Sequence, residues 1–379
     1  MKILAVDIGT GTQDILLFDS RAAVENSLKM VQPSPTMITH RRIKQATRER
    51  KSILLTGVTM GGGPSHWAVE GHLEAGLEVF ALPEAARSFN DDLAVIRQSG
   101  IQVVSEDEAA NLPGDVQRFN LKDFNFEMIE AAFASFDVSL SDVDVIAAAV
   151  FDHGAAPPGY SDRQFRFDYI QERVKEDPIL TSFSFLEVDI PPMMTRMKAV
   201  STSVAEKNLP LVMMDTAPAA VLGAMQDPVV AAEREFLITN VGNFHTIGFL
   251  MKAGKIGGVF EHHTGMLDTV KLDGLLTQLG EGSIRHDDVF ADHGHGALSF
   301  LTLSEKNIDG GFGAAVTGPR WTMMRESGLR PYFATPFGDM MMAGCYGLIK
   351  AVGAQMPEYA EEIGVAFGQG RERPPWELA

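Results

Sequence analysis

Asp7 ends a short apolar run, Ile3-Leu4-Ala5-Val6, and is followed by Ile8-Gly9-Thr10-Gly11-Thr12. A second apolar run, Ile15-Leu16-Leu17-Phe18, closes at Asp19. Two such runs split by Gly and Thr predict a β-hairpin with a carboxylate at the end of its first strand. The turn offers open backbone N–H groups at Gly9 and Gly11 and hydroxyls at Thr10 and Thr12, the donors that an anion needs. A carboxylate beside a phosphate requires a divalent cation between them, since two anions alone repel. The stretch therefore reads as a phosphate-binding turn with a metal-positioning Asp7. An ordinary glycine turn is the plain alternative.

Further along, an apolar stretch over 52–60 runs into Gly61-Gly62-Gly63-Pro64-Ser65-His66-Trp67 and then a helix ended by Gly76. Strand, glycine-rich loop and helix N-terminus together suit an anion or carboxylate, although the spacing is not a Walker A loop. Gly62, Gly63, His66 and Trp67 are therefore candidates for a substrate pocket, with a tight turn as the alternative. The strong apolar run over 143–151 ends in Asp152-His153-Gly154. Groups just past the C-terminal end of a parallel strand are where α/β folds place chemistry, so Asp152 and His153 are candidates. Another strand, 210–214, meets Asp215. The opening plan then returns at Asn240-Val241-Gly242-Asn243-Phe244-His245-Thr246, again a polar glycine turn between two apolar runs. His245 either contacts an anion there or packs. His262 and His263 end the next run, and Asp287, Asp288, Asp292, His293 and His295 gather after it. Metal ligation by these histidines is left open; a plain surface loop is the simpler expectation.

The elements that must hold these groups follow an α/β plan. A third strand over 27–31 and a basic helix over 37–51 with a solvated face follow the first hairpin. Strands over 78–82 and 101–104 flank a helix over 91–99, the alternation of a parallel sheet. Residues 105–125 read as a loop, 126–136 as a helix and 161–208 as mostly helical, broken by a loop at Phe183-Ser184-Phe185. A helix of small residues over 217–224 follows Asp215. Strands over 236–239, 247–251 and 255–261 form a meander that repeats the start of the chain, an internal duplication of pattern. The stretch 308–316, with Gly310 and Gly311, leads into Thr317-Gly318-Pro319-Arg320, and a helix over 321–327 follows. A long helix over 337–352 has a small-residue face, with Met340, Met341 and Met342 as core filler and Cys345 in the core. The tail over 368–379 is rich in Pro, Arg and Glu and reads as loosely ordered.

Composition bounds the possibilities. A chain of 379 residues suits two domains. A net charge of −18 repels nucleic acid and anionic lipid, which makes both improbable partners. The single cysteine permits neither an intramolecular disulfide nor a cluster held by about four thiolates. No apolar run approaches the roughly 20 residues of a membrane span, and Asp7 interrupts the N-terminal run too early for a secretory leader. A cytoplasmic protein is expected.

Taken in order, five elements resemble the actin, sugar-kinase and Hsp70-like ATPase superfamily. They are the turn Asp7 to Thr12, the helix after Asp215 with Pro218-Ala219-Ala220 and Gly223, the turn Asn240 to Thr246, the loop Val316 to Arg320, and the helix over 337–352. More narrowly, the chain resembles the family catalogued as domain of unknown function 1786, whose members are sometimes labelled as related to pyruvate formate-lyase activating enzyme. A radical activating enzyme of that name needs a CxxxCxxC cluster motif, which a chain with Cys345 alone does not have.

The resemblance implies an α/β fold of duplicated RNase H-like domains around a cleft that holds ATP and Mg²⁺. Domain I would comprise residues 1–225, with an inserted α/β segment over about 50–105, completed by the helix 337–353. Domain II would be 226–336 and the tail 354–379. Asp7 would hold the hydrated metal, and Gly9, Thr10, Gly11 and Thr12 the outer phosphates. Asn240, Gly242, Asn243 and Thr246 would clamp them from the other side, with Gly318 under adenine or ribose. Asp215 and Asp152 would be candidates for the general base. Many relatives carry Asp where this chain has Asn240, and a glycine pair where it has Asn243-Phe244, which argues for slow phosphoryl transfer. The expected function is an ATP-binding phosphotransferase or ATPase acting on an unidentified small substrate. The rivals are an ATP-driven switch or reactivase acting on a partner protein, and an interaction protein without nucleotide.

Overall fold

Residues 2–19 form a hairpin because two apolar runs can each bury both faces once the glycine turn reverses the chain. Strand Lys2–Ile8 pairs antiparallel with Thr12–Asp19, with Asp7 opposite Asp14. In the computed structural model, which describes residues 1–303 and 312–368, strand Leu28–Pro33 adds to the outer edge of this pair. Val145–Val150 and Leu211–Asp215 continue the sheet on the other side, both parallel to Lys2–Ile8. Every residue of Val145–Val150 is buried, as a central strand covered on both faces requires. The short strand Ser184–Leu186 closes this six-stranded sheet.

The second sheet repeats the plan. Glu235–Val241, His245–Lys252 and Lys255–His263 form an antiparallel meander. Ala314–Thr317 and Pro331–Phe333 lie parallel on the far side of Glu235–Val241. Gly296–Ser299 pairs with the outer strand of the meander. Numbered within each half, both sheets run 3-2-1-4-5 with strand 2 antiparallel to the others, plus one edge strand each. This is the RNase H-like order, present twice, and together the halves make the actin-like fold.

Two helices join the halves by backbone contact. Thr216–Ala224 crosses Ala343–Gln355 where a Cβ on Gly223 would lie 1.7 Å from the Ala343 carbonyl oxygen. A Cβ on Gly347 would lie 1.9 Å from the Ala219 oxygen. Only glycine fits at either position. The second helix starts later than the sequence suggested. Pro336–Gly338 is a separate turn with Phe337 at φ 50°, so Met340, Met341 and Met342 precede the helix.

A third, four-stranded parallel sheet is inserted after the helix Pro35–Arg48, in the order Gln102–Val103, Val79–Ala81, Ile53–Gly57, Gln117–Leu121. Its last strand, and the helix Glu106–Ala110 capped by Ser105 and Glu108, correct the expectation of a loop over 105–125. In the mostly helical stretch 161–208, the break expected as a loop at Phe183-Ser184-Phe185 is a short strand, Ser184–Leu186. Polar Gln117, Arg118 and Asn120 hide the one strand, and three residues are too few to show a period in the other. Gly310, Gly311 and the tail beyond residue 368 lie outside the described residues. Among the described residues no helix is long and apolar enough to cross a membrane.

Candidate functional site

The turns of the two equivalent hairpins face each other. A Cβ on Gly11 would sit 2.8 Å from Nδ2 of Asn243, so the turns touch. Between them lies a cleft of about 100 Å³. Of the sequence candidates, Asp7, Gly9, Thr10, Thr12, Asn240, Gly242, Asn243 and Gly318 line it. Met340 and Met341, expected as core filler, line it too.

Asp7 is nearly buried at the end of its strand, and Thr216 Oγ1 donates to its Oδ1 at 2.5 Å. Burial raises its pKa to about 7, against the lowering effect of that hydrogen bond. Its cross-strand partner Asp14 also lines the cleft and has a buried Oδ1 without a hydrogen-bond partner. Burial, and then the charge of Asp7, raise the Asp14 pKa to about 8. The helix Ala343–Gln355 starts against this pair: a Cβ on Gly344 would lie 1.9 Å from Asp7 Oδ2. Across the cleft Gly318 has φ +101°, and a Cβ there would fall 2.4 Å from Asn240 Oδ1. Thr317 Oγ1, beside it, is buried and unpartnered.

Three candidates lie elsewhere. Thr246 is fully buried, with Oγ1 2.9 Å from Thr264 Oγ1, because strand alternation turns it away when His245 faces the cleft. Asp215 is fully buried rather than facing the cleft: it pairs with Arg166 and accepts from the Ala217 N–H at the helix start. Asp152 accepts from the N–H groups of Gly154 and Met197, each at 2.9 Å, and burial raises its pKa.

Asp152 lines a second cavity, of about 190 Å³, together with Gly62, Gly63, Arg87, Asp91 and His153. Thr10, Phe151, Arg196, Phe244 and His245 belong to both cavities, so the two adjoin. His66 lines a third and larger one of about 890 Å³ that shares Gly62, Gly63 and His153 with the second. Trp67 is exposed, its ring 5.5 Å from that of Phe244.

Two arginines escaped the sequence reading. Arg196 donates to both oxygens of Asp123 at 2.6 and 3.0 Å and to the Phe151 carbonyl at 2.6 Å. It is the one Lys or Arg among the described residues lining the first cleft. Arg166, fully buried, ties Asp215 of the first sheet to Glu261 of the second, donating to Glu261 at 3.1 and 3.2 Å. Nothing in the stretch 161–208 marks either residue, whereas Asp14 could be found by counting the hairpin register back from Asp7.

His153, His245 and His295 gather where the cavities meet, with one ring nitrogen of each within 4.8 Å of the others. Phe151 stacks on His245 at 4.0 Å between ring centroids, and the His263 ring lies 4.8 Å from that of His295. Burial holds His153 down at about 3 and lowers His245 and His295 as well, so all are neutral imidazoles near pH 7. The expectation of a surface loop fails for His295, which is fully buried; its N–H donates to the Glu261 carbonyl at 2.9 Å and draws it inward. His262 is also buried, with Nε2 3.3 Å from Asp292, while His293 is exposed.

The model of the family described as "Putative pyruvate format-lyase activating enzyme (DUF1786)" matches residues 60–323. The chain belongs to this family. No curated protein matches the sequence. Similar solved structures include a Listeria monocytogenes protein described as "a putative N-acetylmannosamine kinase" (12% identity, 93% of this chain and 98% of that one, TM-score 0.34). Others are a ROK hexokinase from Thermus thermophilus (11%, 95% and 100%, TM-score 0.30) and the ethanolamine utilization protein EutJ from Carboxydothermus hydrogenoformans (11%, 92% and 89%, TM-score 0.30). Likenesses at these scores carry no argument; the fold rests on the strand order. Cys345, the one cysteine in the sequence, is fully buried and donates to the Asp14 carbonyl at 3.1 Å, so the activating chemistry named in the family description finds no set of thiolates here.

Proposed function

We propose that the cleft between the hairpins binds ATP with Mg²⁺, and that the chain is a phosphotransferase or ATPase acting on a small substrate in the adjoining cavity. The observation that carries this reading is the paired turns: equivalent hairpins of two like-ordered sheets meet over two carboxylates. The orphaned Asp14 Oδ1 and Thr317 Oγ1 fit a ligand that supplies a cation to the one and an acceptor to the other. In this reading Asp7 and Asp14 hold the hydrated cation. Gly9, Thr10, Gly11 and Thr12 donate to the outer phosphates from one side, and Gly242 and Asn243 from the other. Gly318 leaves room for ribose or base. Mg²⁺, when bound, supplies charge neutralisation across those phosphates. Arg196 adds a fixed positive charge on the side of the second cavity, where a substrate would lie near Gly62, Gly63 and His153.

Asp152 remains the candidate base, with its carboxylate held in place by two N–H groups. Asp215 is assigned to positioning, through Arg166, and Thr246 to packing. The layout follows the sheets: residues 1–225 with the helix over 337–353 as domain I, and 226–336 as domain II. The net charge of −18 speaks against a nucleic-acid partner, and a cytoplasmic setting goes with ATP use. A slow ATP-driven switch acting on a protein is the second reading. It is favoured by Asn240, which gives the second turn no charge to offer a metal. The test is release or transfer of phosphate from γ-labelled ATP. Mg²⁺-dependent turnover lost in Asp7→Ala supports the proposal; turnover unchanged in that variant contradicts it.

A further inference from the structure

Three imidazoles from distant stretches converge on the wall between the cavities. His153 follows the first-sheet strand Val145–Val150, His245 opens the second-sheet strand His245–Lys252, and His295 precedes Gly296–Ser299. Nε2 of His245 and both ring nitrogens of His295 are buried without a hydrogen-bond partner. Such orphans cost about 1–3 kcal/mol each, so rings needed only for packing would be better replaced by apolar residues. The neighbours do not relieve them. Phe151 stacks on His245, and Arg166, 4.4 Å from the centre of the Phe151 ring, is already engaged by Asp215 and Glu261.

We propose that His153, His245 and His295 bind one first-row transition-metal dication of the Zn²⁺ class, at a site separate from the Mg²⁺ position at Asp7. Three neutral nitrogen donors suit Zn²⁺, Co²⁺, Fe²⁺ or Ni²⁺, whereas Mg²⁺ prefers oxygen. His153 and His245 also line the cavity of about 190 Å³. Three protein ligands beside such a space match a metal that keeps a position for water or substrate, rather than a closed structural site. Arg87 and Arg196 line the same cavity together with Asp91 and Asp152, so the ligand class it takes is a small polar molecule that offers both hydrogen-bond donors and acceptors. The site goes beyond the nucleotide reading: it shares His245 with the lining of the first cleft but uses none of the residues assigned there to Mg²⁺ or phosphate.

The test uses tag-free, full-length protein, stripped of metal by a chelator and titrated with Co²⁺ without nucleotide. A single equivalent binds and develops the visible absorption of a low-symmetry nitrogen site, and Zn²⁺ abolishes that absorption. His245→Gln and His295→Gln weaken Co²⁺ binding by more than the about 10–100-fold that outer-shell changes cost. His293→Gln, exposed and outside the cluster, leaves it unchanged. Circular dichroism checks each variant. If the fully buried position of His295 does not tolerate Gln, His153→Gln, at a partly exposed position like that of His245, carries the test with the same expected loss. No visible band in the wild type, or a band that survives His153→Gln and any folded variant of the other two, overturns the proposal. Because no nucleotide is present, this outcome and that of ATP binding are independent.

Discussion

The two hairpins occupy equivalent places in like-ordered sheets yet carry different chemistry. The first sets Asp7 opposite Asp14 and fills its turn with Gly and Thr. The second has Asn240 where the first has its acid, pairs it with Ile247, and fills its turn with Asn243, Phe244 and His245. The duplicated scaffold therefore fixes where two turns meet, and the residues in them decide what each can bind. Both carboxylates that line the cleft, Asp7 and Asp14, come from the first half. The other contributes amide donors, an aromatic contact to Phe151 and two of the three clustered imidazoles. The same scaffold thus supports a metal-and-phosphate wall on one side and a nitrogen-rich wall on the other.

The largest expected effect comes from separating the halves. Gly223→Val drives a side chain into the Ala343 carbonyl, and the fold should lose at least ~3 kcal/mol in urea unfolding. A loss below ~1 kcal/mol would mean that the two helices do not hold the hairpins in register. Next, Asp7→Ala should weaken Mg²⁺-dependent ATP binding by at least ~100-fold, or ~3 kcal/mol, without unfolding the protein. An unchanged affinity in calorimetry would move the metal elsewhere. Third, Asn240→Asp tests the asymmetry directly. Giving the second turn an acid should raise Mg²⁺-dependent phosphate release by roughly 3–10-fold, on the scale of ~1 kcal/mol in the barrier; an unaltered rate would show that the missing charge does not limit turnover.

A further effect is a pH dependence confined to the first hairpin. Burial raises the folded-state pKa values of Asp7 and Asp14 to about 7 and about 8. For acids whose folded value lies above the unfolded value of 3.8, stability is full below about pH 4 and is lost as pH rises through 7 to 8. Unfolding without ligand should therefore show stability falling between about pH 4 and about pH 8. Asp7→Asn, which keeps an acceptor for Thr216, should flatten the fall and stabilise the protein at pH 8 by ~1–4 kcal/mol. Equal slopes in the two proteins would show that the pair is solvated rather than buried.

Much of this arrangement is legible in the chain, because the hairpins announce themselves through apolar runs and glycine turns of local origin. The crossing helices show as small-residue stretches around Gly223 and Gly347. What is lost is what depends on partners distant in sequence. Arg196 and Arg166 become meaningful only where Asp123, Asp215 and Glu261 meet them. Asp215 looks like a free acid at a strand end until Arg166 is placed beside it. His295 sits in a polar stretch that reads as surface, and its burial follows from docking beside Glu261. Strands Gln117–Leu121 and Ser184–Leu186 owe their form to the neighbours they pair with, Ile53–Gly57 and Leu211–Asp215. The family match over residues 60–323 includes the second hairpin but not the first, so the acid pair is argued from its own geometry.

The central claim is that the two turns close on one nucleotide around a cation at Asp7. Calorimetric titration of the purified protein with ATP, with Mg²⁺ and then with excess chelator, tests it most directly. Binding in the micromolar range with Mg²⁺ and a large loss without it are expected. No heat of binding at millimolar ATP in the presence of Mg²⁺ would contradict it, and would leave the paired hairpins as a scaffold for interaction alone.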